Sequence, residues 1–224
     1  MRLPVVGQVL GGWETDPLWA TVYEASVNHP TLGAPMWRVG FGSDQRLLHE
    51  TVGSLSSLPA GSRVLDVPSG GGIALRGVRP GQGLDYVAAD ISPAMLDRAR
   101  RAADRLGVTD QVTFRETDVA DLADDDASYD RVVSLTGLHC FPAPREAVGE
   151  MTRVLRPGGE LVGSAFLTDT GWRYEAGRRI GRASGILGPM CSRSELHGWL
   201  RAGGMRRVVV RTSGALVYFR ATKG

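Results

Sequence analysis

Three aspartates and a run of glycines are the residues of this 224-residue chain best suited to hold a ligand. In "VLDVPSGGG" (64–72) an apolar run ends on Asp66 and breaks into the turn Pro68, Ser69, Gly70, Gly71, Gly72. Glycines lack a Cβ, so the main chain can approach a bound group closely and take up angles closed to other residues. The next apolar run ends on Asp90, 24 residues beyond Asp66. That is near the roughly 20-residue offset at which an acidic side chain meets a ribose hydroxyl in nucleotide-binding folds. An ionised carboxylate only accepts hydrogen bonds, which suits a ribose diol and repels a 2′-phosphate. The third run leads into "TDVADL" (117–122), where Asp118 is placed to accept from an adenine amino group. Plainer readings exist for two of them. Asp66 also fits a turn cap, and Asp118 shares an acidic stretch with Asp121, Asp124, Asp125 and Asp126 that suits a solvated loop.

Beyond the fourth run, His139 in "GLHCF" is the best-placed candidate for a general base, since imidazole titrates near neutral pH. The alternative is a packing histidine bonded to the backbone. Two nucleotide-binding classes fit poorly. A P-loop needs G-x-x-x-x-G-K-[ST], and Lys223 is the only lysine in the chain. A dinucleotide site wants G-x-G-x-x-G, but counted from Gly70 the third glycine falls at Leu75. Cys140 and Cys191 are too few for a disulfide framework and lack C-x-x-C spacing, so reduced thiols and no metal site are expected.

The elements that must position these residues alternate from residue 62 onward. Apolar runs at 62–67, 85–90, 111–116, 130–135 and 160–167 read as strands, several of them continuous enough to be buried on both faces of a parallel sheet. Ser92, Pro93 and Gly107 mark the cap, first turn and exit of a helix whose stripe is Leu96, Ala99, Ala103 and Leu106. A second helix, about 144–155, is stopped by "RPGG" (156–159), and a third spans 192–204. The last runs, 205–212 and 215–222, are joined only by Ser213 and Gly214, which suits an antiparallel hairpin and forbids a parallel crossover. Residues 1–60 break the rhythm. They read as a helical cap over the sheet's carboxyl edge, with one short helix at Trp19, Val22 and Tyr23 and another at 45–55.

The length suits one domain with an extension. A net charge of +2 does not argue for a nucleic-acid partner. No run of about 18 apolar residues is present to span a bilayer, and "MRLPVVGQVLGGWETD" does not read as a signal peptide, so a cytoplasmic protein is expected.

"VLDVPSGGG", "VAADIS", "TDVADL", "DRVVSLTGLHCFP" and "VLRPGGELV" resemble, in order and spacing, the class I S-adenosylmethionine-dependent methyltransferases. The resemblance covers about residues 60–224. It implies a Rossmann-like, doubly wound α/β fold with a seven-stranded, mostly parallel sheet and an antiparallel C-terminal strand. It also implies S-adenosylmethionine as cofactor. Asp66 with the turn Pro68, Ser69, Gly70 and Gly72 would then flank the methionine part, Asp90 the ribose, and Asp118 with Val119 the adenine. Leu135 would offer backbone near the methionyl end, and Ile91, Met95 and Tyr23 complete the expected contacts. One departure stands out: the family's D-x-G-x-G-x-G has glycine where this chain has Pro68, which fixes φ and removes an N–H.

The expected domains are a cap or lid at 1–60 and a methyltransferase domain at 61–224. An insertion at 167–190 is expected to join Trp19, Tyr23 and Trp37 around the acceptor. Balanced charge and the lack of a separate recognition domain favour a small acceptor, and the resemblance implies an apolar or aromatic one, quinone-like, lipid-like or a secondary metabolite. The atom methylated is left open, as is the choice of monomer or homodimer. An NAD-type oxidoreductase and a non-catalytic protein keeping the fold are the rival readings.

Overall fold

The computed structural model describes residues 37–183 and 187–224. Seven strands form one sheet in the order β3-β2-β1-β4-β5-β7-β6. They are β1 (Arg63–Asp66), β2 (Asp85–Asp90), β3 (Val112–Glu116), β4 (Tyr129–Leu135), β5 (Leu155–Phe166), β6 (Met205–Ser213) and β7 (Leu216–Lys223). The first five pair in parallel, and β7 runs antiparallel to both β5 and β6. The strand order reverses between β1 and β4, so the crevice beyond their carboxyl ends is the switch point where such sheets take ligands.

Alternation along the strands divides the core into two layers. One face buries Leu65, Val87, Val132 and Leu161 against α3 (Pro144–Arg153) and α5 (Arg193–Ala202) through Val148, Met151, Leu196 and Leu200. The other buries Val64, Tyr86, Val133 and Val162 against α1 (Gln45–Gly53) and α2 (Pro93–Leu106) through Leu48, Val52, Ala102 and Ala103. The signals on α2 act as their chemistry requires. The Ser92 side chain accepts from the Met95 N–H, Pro93 opens the helix, and Gly107 leaves it with φ 67°. A capping box of Ser192 and Glu195 starts α5.

Several boundaries differ from the sequence expectation. Helix α3 ends at Arg153, and Leu155 already pairs with Tyr129. The register then jumps to Arg131 opposite Glu160, so Arg156–Gly159 is a bulge within β5 and not a helix stop followed by a loop. Gly158, with φ 81°, lets those extra residues loop out. The hairpin turn is Gly214-Ala215, one residue later than expected, with Gly214 at φ 59° in the position where a two-residue turn tolerates only such a residue.

Helix α1 lies against a face of the sheet and does not roof its edge, because Leu48 and Val52 form an apolar stripe that the sheet face buries. Among the described residues, the segment Trp37–Asp44 reaches the carboxyl edge, where the Ala215 N–H donates to the Phe41 carbonyl at 2.7 Å and the Asp44 N–H to the Ser213 hydroxyl at 2.8 Å. Trp19, Val22 and Tyr23 lie outside the described residues. The insertion contains α4 (Glu175–Ala183), fastened by Arg178. Its guanidinium donates to Glu175 and to the Leu167 and Gly171 carbonyls, so this arginine folds the insertion. Among the described residues, no helix is long and apolar enough to cross a membrane, and no cluster of His, Cys, Asp and Glu is disposed to hold a metal.

Candidate functional site

The carboxyl tips of β1, β2 and β4 meet at the turn 67–72. Its two ends are tied to neighbouring strands: the Val67 N–H donates to the Val133 carbonyl (2.9 Å) and the Ser69 N–H to the Ala89 carbonyl (2.8 Å). Between and beyond these anchors the two sequence-singled glycines do different work. A Cβ on Gly72 would stand 2.9 Å from Leu75 Cδ1 and 3.2 Å from Ala99 Cα, so this glycine, at φ 83°, lets α2 approach the turn. At Gly70, with φ 51°, a Cβ would meet nothing within 4 Å. The bare backbone there faces open space.

Asp90 is 5% exposed and holds this turn. Its Oδ2 accepts from the Gly70 N–H at 2.8 Å and its Oδ1 from the Ser92 N–H at 3.0 Å. Burial pushes its carboxyl above the usual range, while these backbone bonds pull it back. A carboxylate has about four lone-pair sites, so these bonds, with a further backbone contribution from Ile91, still leave acceptor capacity for a sugar hydroxyl. Beside it, Ile91 is 56% exposed, a large apolar side chain standing at the crevice rim. Met95 is buried.

Asp66 behaves differently, although it ends the adjacent strand. It is 1% exposed and accepts from the Tyr86 hydroxyl at 2.8 Å. Burial, less the opposing pull of Tyr86, raises its pKa to about 8, with the charge of Asp90 adding to the rise. It is thus largely protonated at neutral pH and sits within the core layer. Nothing in the sequence singled out Tyr86, because one aromatic in an apolar strand carries no distinguishing signal.

Just past β3, the Thr117 N–H donates to the Asp90 carbonyl at 3.1 Å, which sets Asp118 close to the tip of β2. Asp118 is exposed and its Oδ1 accepts from the Ala120 N–H at 2.9 Å, an Asx turn. Val119 is buried with Leu65, Val87 and Ala89. The structure therefore brings Asp90, Gly70 and the start of the Asp118 turn to one edge. The Asp66 carboxyl lies underneath that edge.

The fourth strand ends at Leu135, which is buried. Thr136 follows with φ 52°, a conformation costly for a β-branched residue, by about 1–3 kcal/mol. Its N–H donates to the Ser164 carbonyl (2.8 Å) and its hydroxyl to the Leu135 carbonyl (2.7 Å), which holds it there. Cys140, partly exposed, has its thiol pushed up to about 12 by burial and then by the charge of Asp90, so it is an unreactive neutral lining group. Neither residue carries a sequence signal, since both roles depend on where β4 happens to end.

His139 is 4% exposed. Its Nδ1 accepts from the Phe166 N–H at 3.3 Å, its ring meets Phe166 edge-on at 4.8 Å, and burial lowers its pKa to about 3. With Nδ1 accepting, the proton of the neutral ring resides on Nε2. This geometry supports the packing histidine and not the general base. Phe166 also meets Phe41 at 5.2 Å, and Phe41 meets Trp37 at 5.8 Å, forming an aromatic line along the edge beside β5.

The described residues fit an adenosyl group with an amino-acid tail. The Ser69 hydroxyl is buried in the turn without a hydrogen-bond partner, the Gly70 backbone is open, and Ile91 is bare beside a carboxylate with spare acceptor capacity.

The segment that builds this edge is similar to known proteins. A family model described as a methyltransferase domain matches residues 65–163, from β1 into β5. Demethylmenaquinone methyltransferase of Clavibacter sepedonicus is 38% identical over 127 residues, covering 57% of this chain and 50% of that protein. Ubiquinone biosynthesis O-methyltransferase of Xanthomonas axonopodis pv. citri is 32% identical over 157 residues, 66% of this chain and 64% of that one. The chain thus spans less than two thirds of either relative. Among solved structures, geranyl diphosphate methyltransferase in complex with GPP and sinefungin superposes with a TM-score of 0.65 at 16% identity, covering 80% of this chain and 79% of that one, which speaks to the fold. The matched segment, with the strand order around it, is thus similar to a methyltransferase domain.

Proposed function

We propose that the protein transfers a methyl group from S-adenosylmethionine to a small apolar or aromatic acceptor, quinone-like molecules first among them. The observation that carries this reading is the Gly70–Asp90 bond beneath an open backbone: one buried carboxylate orders the turn and keeps lone pairs for a ribose diol. S-adenosylmethionine, when bound, supplies a methyl activated on a sulfonium sulfur. Asp90 then holds the sugar, the 69–72 backbone receives the amino-acid tail, Ile91 covers the base, and Asp118 accepts from its amino group.

Displacement at a sulfonium methyl is in line, so holding an acceptor in near-attack geometry supplies much of the rate without a dedicated base. The protonation of His139 described above agrees with that economy. The acceptor is assigned to the edge beside β5, between the Trp37–Phe41 turn, Phe166 and the insertion that follows it. Two relatives bear quinone names, which supports an apolar ring as acceptor. Cytoplasmic action without a nucleic-acid partner, as a monomer or homodimer, completes the reading.

Isothermal titration with S-adenosylhomocysteine, S-adenosylmethionine and NAD tests the donor. Binding of the two adenosyl-sulfur ligands is expected. Binding of NAD alone would move the protein to the oxidoreductases, and binding of none would leave a non-catalytic fold. Labelled S-adenosylmethionine offered with naphthoquinols, phenols and aliphatic acids tests the acceptor, and transfer to the acids alone would overturn the quinone-like assignment.

A further inference from the structure

Pro68, the one break with the family's glycine pattern, has a counterpart across the switch point. Gly137 follows Thr136 at the exit of β4 and is buried. A Cβ on Gly137 would lie 2.6 Å from Pro68 Cγ, nearer still to Cδ, and 3.1 Å from Phe141 Cζ. The approaches to the proline ring are separations real Cβ atoms essentially never adopt, whereas the one to Phe141 is only tight, and a proline ring cannot rotate out of the way as a flexible side chain would. The backbone of Gly137 is outside the left-handed region, so its conformation alone does not call for glycine. What calls for it is the ring of Pro68.

We propose that Gly137 is a positioning residue for the cofactor turn: by presenting no side chain it seats the Pro68 ring against the β4 exit, and that contact sets the height of the Ser69–Gly70 backbone over the crevice. The inference rests on the methyl-donor reading given above. Its mechanical basis is that both partners are wedged between fixed points. Pro68 lies between the Val67 and Ser69 N–H groups, which are bonded to Val133 and Ala89. Gly137 lies between Thr136, already at φ 52°, and Cys140, whose N–H donates to the Gly137 carbonyl at 2.7 Å. A methyl group added at 137 therefore cannot be absorbed locally. It tilts the turn, and the 2.8 Å bond from the Gly70 N–H to Asp90 is the first to open.

The test is a double-mutant cycle on the full chain, read by titration with S-adenosylhomocysteine and by the midpoint of thermal unfolding without ligand. Overpacking of this kind predicts that Gly137→Ala weakens S-adenosylhomocysteine by about tenfold or more in the wild-type background. In the Pro68→Gly background, where the ring is gone, the same substitution is expected to weaken it by less than about threefold, since non-additivity marks residues in contact. Equal losses in the two backgrounds, or no loss in the wild type, would overturn the proposal. Should Gly137→Ala fail to fold, recovery of folded protein on adding Pro68→Gly supports the pair and continued failure sinks it. A wild type that binds no S-adenosylhomocysteine defeats the donor reading and the positioning role together. The unfolding midpoints then still decide the contact itself, which is refuted if Gly137→Ala lowers both backgrounds alike.

Discussion

The two ends of the crevice are built in opposite ways. At the β1–β2 end the elements at the crevice are main chain and buried polar groups: Gly70, the Ser69 hydroxyl and Asp90, all within a stretch of 22 residues. At the β5 end they are aromatic side chains from distant segments, Trp37, Phe41, His139 and Phe166, flanked by an insertion with Trp172 85% exposed and Ile180 70% exposed. The first end suits one invariant ligand held by directional bonds. The second suits an apolar molecule recognised by shape, and its walls can change without touching the first. The proposed donor and acceptor sites can therefore diverge separately within one sheet.

That contrast can be broken at several points. The largest effect is expected at Asp90: replacing it by alanine leaves the Gly70 and Ser92 N–H groups unpaired and removes the ribose acceptor. S-adenosylhomocysteine affinity should fall about 100-fold or more, by the cost of charge-assisted bonds. An unchanged dissociation constant in titration calorimetry would remove Asp90 from the site.

Next come the glycines, which should separate folding from binding. Gly72→Ala, pressed against Ala99 and Leu75, should lower stability by about 1–3 kcal/mol in denaturant unfolding. Gly70→Ala, facing open space, should lower it by only about 1–2 kcal/mol of backbone strain while weakening S-adenosylhomocysteine more strongly. The reverse ranking in affinity would show that Gly72 is the ligand-facing residue.

The third test concerns pH. Because burial raises the carboxyl of Asp66 above its unfolded value, the native state binds the extra proton, and stability should fall as pH rises from 3.8 toward about 8. Unfolding measured across that window should flatten in Asp66→Asn, and an unchanged slope would mean that other groups control it. The smallest effect is expected at His139→Phe. It leaves the Phe166 N–H without an acceptor at a cost of about 1–3 kcal/mol, and S-adenosylhomocysteine affinity should hold within about twofold. A large affinity loss would tie His139 to the donor end.

The legible parts of the molecule were those whose signal is local. Ser92, Pro93 and Gly107 delimit α2 as their capping chemistry requires, and Asp90 at the end of an apolar run stands where a strand tip must be. Parallel and antiparallel pairing could be told apart from the length of the 213–216 connection. Where the signal was not local, the reading slipped. Asp66 and Asp90 look equivalent in sequence, yet one faces the core and Tyr86 while the other faces the turn. Likewise "RPGG" reads as a helix stop in isolation, but α3 has already ended at Arg153 and pairing of Leu155 with Tyr129 makes it a bulge.

By itself, then, the order of residues determined the sheet class, the position of the glycine turn and the carboxylate at the second strand's tip, because caps, turns and apolar runs act over a few residues. Only the tertiary structure decided that His139 is held by Phe166, that Asp66 is buried and protonated, and that Pro68 rests on Gly137. Each of these depends on strands that are remote along the chain coming into contact, and burial, which shifts a pKa or excludes a methyl group, exists only once they have.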